Sequence, residues 1–223
     1  MPKAPSIEAN LDLWSAMTSL RFVPQNLLDL YDVREWRNGL AILSVARPEE
    51  WADVVAVLSE FRLLNSEIAT PGGRKSKVAD RLDGAFKKRG WKEKRFDTRI
   101  VVDGIETISP THEVDVFKNR VALEVEWNNK DPFYDRDLNN FRLLFELRVI
   151  DVGVIVTRCT ELQSLFVEVG RDKQSYGSST THLDKLLPRL EGGGGGGCPV
   201  VVFGIRRAAY VDDRPSVEIG NVI

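Results

Sequence analysis

A chain of 223 residues, 43% of them hydrophobic and with a formal net charge of −2, is long enough for one sizeable domain with an ordinary core. The near-neutral charge argues against a protein that coats nucleic acid regardless of sequence, and no stretch reaches the roughly 20 apolar residues of a bilayer-spanning helix. The first ten residues, MPKAPSIEAN, lack the apolar run of a secretory signal, and Cys159 and Cys198 are not in metal-ligand spacing; reduced cysteines and a cytoplasmic protein are expected.

Along residues 7–32, Leu11, Leu13, Trp14, Met17 and Leu20 precede Pro24, and Leu27, Leu28 and Leu30 follow it, which predicts two short amphipathic helices broken near Pro24. Residues 1–32 are taken as a helical extension and 33–223 as the main domain. Residues 35–45 read as a strand entered through Asn38-Gly39, with GLAILSV as its body. Pro48, a favoured first-turn residue, and Glu49 and Glu50 at the positive end open a helix over 48–62. Its Trp51, Val54, Val55 and Leu58 fall on one face.

Charge is distributed unevenly. Residues 74–99 hold eleven Lys or Arg against four acids, whereas residues 1–70 hold six against ten. The former is a local patch suited to phosphates, or a solvated helix face. Its loop, TPGGRKSK over 70–77, combines two glycines with Arg74, Lys75 and Lys77, as a segment that moulds itself to a phosphate backbone requires; a disordered surface tip is an equal reading. A helix is predicted over 76–89, with Val78, Leu82 and Phe86 as its stripe and Gly90 as its stop. Residues 99–102 then form a strand closed by Asp103-Gly104.

Residues 120–127 alternate, with Val121, Leu123, Val125 and Trp127 on one face and Arg120, Ala122, Glu124 and Glu126 on the other, the period of a strand. Residues 113–117 form a second short strand, with the turn expected at Lys118-Asn119. That register sets Asp115 opposite Ala122 and Glu113 opposite Glu124, so that Glu113, Asp115, Glu124 and Glu126 share a face. Such a cluster must take up protons, lie open to water or hold a cation, and oxygen ligands suit Mg²⁺. A charged sheet edge that discourages pairing is the other reading.

A helix follows to about residue 147, with Leu138, Phe141, Leu144 and Phe145 inward and Arg136, Asn140 and Arg142 outward. Residues 151–157 and 199–205 read as strands buried on both faces. Between them lie a polar loop over 171–181, a short helix over 182–190 and a tract of six glycines, 192–197, expected as a flexible tether. Helices flanking central strands give an α/β domain around a central mixed β-sheet.

Asp115, eight intervening residues and Glu124-Val-Glu126 in an apolar strand, followed by WNNKDPF, resemble the active-site hairpin of type II restriction endonucleases of the BglII, BstYI and BamHI group, within the PD-(D/E)xK nuclease superfamily. Glu126 stands where the broader pattern has Lys; BamHI-like enzymes carry Glu there and BglII-like ones Gln. WADVVAVL, GWKEKRF, DVGVIV and PVVVFGI extend the resemblance over roughly residues 34–207. It implies Mg²⁺ held by Asp115, Glu124 and the Val125 carbonyl, with Glu126 orienting or deprotonating the attacking water. Glu93 and Glu113 are possible additional acids. It further implies a homodimer, paired partly through residues 133–147, that cleaves double-stranded DNA at a short palindrome and leaves 5′-phosphate and 3′-hydroxyl ends. Base readout is expected from Asn128, Asn129 and Lys130 and from Ser178, Ser179, Thr180 and Thr181, whose side chains offer suitable donors and acceptors; phosphate contacts are expected from Arg74, Lys75 and Lys77. Two alternatives are another nuclease of the same core, in repair or transposition, and a non-catalytic DNA-binding module. His112 and His182 offer a rival general base, while no Gly-x-Ser-x-Gly, Walker loop or Cys–His constellation is present.

Overall fold

In the computed structural model, residues 19–69, 76–108, 112–171, 176–177 and 179–215 are described. They form helices α1 (Gln25–Leu30), α2 (Gly39–Ala41), α3 (Pro48–Glu60), α4 (Asn65–Ile68), α5 (Lys77–Lys87), α6 (Pro132–Glu146), α7 (Leu162–Glu168) and α8 (Leu183–Glu191). The strands are β1 (Tyr31–Trp36), β2 (Leu63–Leu64), β3 (Lys92–Lys94), β4 (Arg99–Val102), β5 (Ile105–Ile108), β6 (Val114–Lys118), β7 (Val121–Val125), β8 (Val152–Arg158), β9 (Val200–Ile205) and β10 (Tyr210–Val211). Six of them make the central sheet in the order β1-β9-β8-β7-β6-β3. The β7–β8 and β8–β9 pairs are parallel and the others antiparallel, so the sheet is mixed, as expected. Among the described residues no helix is long and apolar enough to cross a membrane.

The period-2 patterning sorts each central strand between two cores. Val121, Leu123 and Val125 of β7, Val152, Val154 and Val156 of β8, and Val201 and Phe203 of β9 join one core with Leu27, Leu58, Leu82, Phe86 and Phe166. Ala122, Ile155, Val200 and Val202 face the second core, built with Tyr134, Leu138, Phe141 and Leu144 of α6 and Leu186 of α8. Val23 and Leu27 belong to the first core, so residues 23–30 are packed into the main body; residues 1–18, which carry most of the first of the two predicted N-terminal helices, lie outside the described residues.

Four expectations change. The first strand is β1, paired along its length with β9 from Tyr31–Ile205 to Trp36–Val200, and GLAILSV is helical, with Ile42–Ala46 as a π-helical turn after α2. Short apolar runs are ambiguous in period; here Leu40 and Leu43, three apart, are the buried pair. Asn38 adopts a left-handed φ of 58°, and a Cβ at Gly39 would lie 2.7 Å from the Val200 carbonyl oxygen, so the chain turns where the strand was expected to begin.

The β6–β7 turn is Asn119-Arg120, both with positive φ (41° and 74°), the geometry of a tight hairpin that follows strand twist. Phe117 therefore pairs with Ala122, two residues away from the expected register, and a two-residue shift keeps every side chain on its face. The glycine tract is docked on α6: a Cβ at Gly196 would meet Arg142, and one at Gly194 would meet the Arg189 carbonyl and Leu138. Finally, Asn140 is buried and the apolar stripe of α6 is consumed by the chain's own second core, so that stripe supplies no argument for a subunit interface.

Candidate active site

The hairpin register carries Asp115 across from Glu124, and each carboxylate takes a backbone donor from the facing strand. The Asp115 N–H donates to Glu124 Oε2 at 3.2 Å, and the Val125 N–H donates to Asp115 Oδ2 at 3.1 Å. Glu124 and Glu126 are each 1% exposed, because their face of β7 is roofed by α6. Glu126 accepts from Asn129 Nδ2 at 2.9 Å and from Arg136 Nη2 at 3.4 Å. Asp137, fully buried on α6, hydrogen-bonds Glu126 and pairs with Arg136 at 2.7 Å.

Glu113 stays exposed, so the fourth acid of the cluster is Asp137. Its signal in the sequence was helical spacing: Tyr134, Asp137, Leu138, Phe141 and Leu144 share the buried stripe, and an acid on such a stripe needs a partner.

Burial comes first in raising the Glu124 carboxyl well above its ordinary range, followed by the charges of Asp137 and Asp115. Glu126 and Asp137 are also raised, burial again the largest cause. Two buried carboxyl groups this close cannot both ionise at low cost, and Asp137 Oδ2 has no other hydrogen-bond partner, so the arrangement favours protonation of the pair. Arg136 is the cation paired with this group. Glu124 Oε1 is buried without a hydrogen-bond partner, and an unsatisfied buried carboxylate oxygen is costly unless something positive meets it.

Of these acids Asp115 opens onto a cavity of about 450 Å³, lined by Ser76, Ala79, Glu93, Asp115, Val125, Trp127 and Asn129, while Glu124, Glu126 and Asp137 stay buried behind it. Glu93 thus reaches the same opening as Asp115 and pairs with Lys87 at 3.2 Å. Among the described residues no group of three or more His, Cys, Asp or Glu side chains is arranged as a metal site. The oxygen donors at this end of the hairpin are two carboxylates, Asp115 and Glu124, and the Val125 carbonyl, which accepts from the Trp127 N–H at 3.2 Å and has a second lone pair. With the bare Glu124 oxygen, this set fits a hard divalent cation. A larger cavity, about 640 Å³, lies between α3 and α5 and contains none of these acids.

The predicted DNA-facing residues divide. Lys77 is exposed in the first turn of α5, which Ser76 caps by accepting the Ala79 N–H at 3.1 Å; Arg74, Lys75 and Ser178 lie outside the described residues. Lys130 and Ser179 are exposed. Asn128 is half-buried with φ 61°, Asn129 is engaged with Glu126, and Thr180 accepts from Arg158 and donates to the Gly177 carbonyl. Thr181 is fully buried, its hydroxyl 3.2 Å from the Asn129 N–H and 3.4 Å from the Glu126 carbonyl, so it ties the two loops together instead of facing outward. His112 is exposed and His182 bonds Thr160 at 3.0 Å; burial lowers the pKa of both.

A family model described as restriction endonuclease BglII/BglIII matches residues 31–205, the span from the first residue of β1 to the last of β9. No curated protein matches the chain.

Proposed function

Since this chain belongs to the BglII/BglIII restriction endonuclease family and is therefore a type II site-specific deoxyribonuclease, we propose that it cleaves duplex DNA at a short palindrome in a Mg²⁺-dependent reaction centred on Asp115, Glu124 and Glu126. The products are 5′-phosphate and 3′-hydroxyl ends. The observation that carries this reading is the reciprocal lock of Asp115 and Glu124 beside an unpartnered buried Glu124 oxygen, with Asp115 lining a cavity of about 450 Å³.

Asp115, Glu124 and the Val125 carbonyl would hold the cation. When bound, Mg²⁺ supplies Lewis-acid activation of a water and charge compensation at the leaving 3′ oxygen. The backbone donors on Asp115 and Glu124 fix both carboxylates in orientation before substrate arrives, which lowers the reorganisation needed during reaction. With the cation bound, whose charge favours the ionised carboxyl, Glu126, held by Asn129 and Arg136, would orient the water or accept its proton. Glu93, at the same opening, is a further acid for the cleft. A two-fold homodimer matches a two-fold site, and a restriction enzyme acts in the cytoplasm, where the DNA is.

Asp115→Ala and Glu124→Ala test this assignment. Each is expected to lower cleavage at least a thousandfold while leaving affinity for the target duplex within about threefold. Near-normal turnover in either variant would remove the hairpin from the reaction.

A further inference from the structure

Arg158 ends β8 and is fully buried, yet its Nε and Nη1 have no hydrogen-bond partner. Nη2 donates to Thr180 Oγ1 at 2.8 Å, and the guanidinium lies 5.1 Å over the Phe166 ring. Among the described residues no carboxylate pairs with it. Burying an unpaired guanidinium costs stability, so packing alone does not account for an arginine here.

What this side chain holds is the segment above it. Thr180 bridges Lys130 in antiparallel fashion, and the Thr181 N–H donates to the Asn129 carbonyl at 2.8 Å. The Asp131 N–H reaches the Ser179 carbonyl at 3.3 Å. Residues 128–131 and 179–181 are thereby one platform, seated on the C-terminal ends of β7 and β8, with exposed Lys130 and Ser179 at its surface and Glu126 at its root.

We propose that Arg158 is a specificity-determining positioning residue: through Thr180 it fixes the height and register of the Lys130–Ser179 platform over the DNA bases. The inference rests on the endonuclease reading for its substrate, duplex DNA, but not on cleavage. A buried fork that reaches one hydroxyl constrains a loop more tightly than an apolar contact does, because the bond is directional.

The test is selection of bound sequences from a random duplex pool by the full chain, without metal, using wild type, Arg158→Met and Thr180→Val. Wild type is expected to select a defined sequence. In Arg158→Met the preference at one or more base pairs of each half-site should fall at least tenfold, while the melting temperature stays level or rises, since a buried cation with no carboxylate partner among the described residues has been removed. Thr180→Val should loosen the same positions, and the double variant should be no worse than either single one. A purely structural arginine would give the opposite pattern, a lower melting temperature with an unchanged selected sequence. That unchanged sequence in folded Arg158→Met overturns the proposal; if Arg158→Met does not fold, unchanged selection by Thr180→Val overturns it. A wild type that selects no sequence also overturns it. Failure of the endonuclease reading looks different, as a wild type that selects a sequence but does not cut it.

Discussion

Glu126 is the residue at which charge and burial conflict most openly. Its carboxyl is raised from 4.5 to about 9, so the folded, metal-free protein retains a proton that the unfolded chain releases. Stability from this group is fully present below pH 4.5 and is lost as pH rises toward 9. Glu126→Gln supplies an amide that donates to Asp137 without any proton uptake. In EDTA, the unfolding free energy of Glu126→Gln relative to wild type should therefore climb with pH across that window; a difference that is flat with pH would show that no proton is shared. The sequence placed Asp115, Glu124 and Glu126 on one face because their spacing within a period-2 strand is a local property, and it was the resemblance to restriction endonucleases that made a site of them. It could not supply Asp137, whose approach to Glu126 depends on how α6 lies across β7, nor could it tell that Asn129 and Thr181 would turn inward to hold Glu126 and its carbonyl.

At the scale of elements, α6 and β8 meet where Gly153 leaves no room: a Cβ there would collide with the Phe141 ring. Gly153→Ala should cost about 1–3 kcal/mol by overpacking, measured by chemical denaturation. Gly196, with φ 56° and a Cβ position 2.7 Å from the Arg142 side chain, should tolerate Ala only at a cost of about 1 kcal/mol or more. A flexible tether would show neither penalty for Gly196, so that variant separates the two pictures of the glycine tract. Elements with a strong period were readable: α3 and α5 carry one apolar face each, and β7, β8 and β9 alternate between two cores. GLAILSV was not, since an apolar run of that length satisfies a strand and a helix alike, and the burial of Leu40 and Leu43 on one side of it depends on the rest of the fold. The β4–β5 hairpin shows a related limit. Its Asp103-Gly104 turn was evident, but among the described residues β5 pairs only with β4 and leaves Val101, Val102, Ile105 and Ile108 exposed, which alternation alone does not forecast.

For the molecule as a whole, a net charge of −2 conceals a basic stretch that begins just before the cleft. Lys77 is exposed beside Ser76, which lines the opening that Asp115 shares. Replacing Arg74, Lys75 and Lys77 together should weaken binding to target and random duplex alike. It should also flatten the dependence of log affinity on log salt by about 0.9 for each phosphate that the protein no longer neutralises. Weakening confined to the target sequence would instead make this loop a base reader.

The central claim, that the acidic hairpin performs Mg²⁺-dependent cleavage at a specific sequence, is tested most directly by digesting plasmid DNA with wild type and Asp115→Ala in Mg²⁺ and in EDTA. Discrete fragments from wild type in Mg²⁺, and intact plasmid in the other three reactions, are the predicted result. Discrete fragments from Asp115→Ala, or from wild type in EDTA, would contradict it.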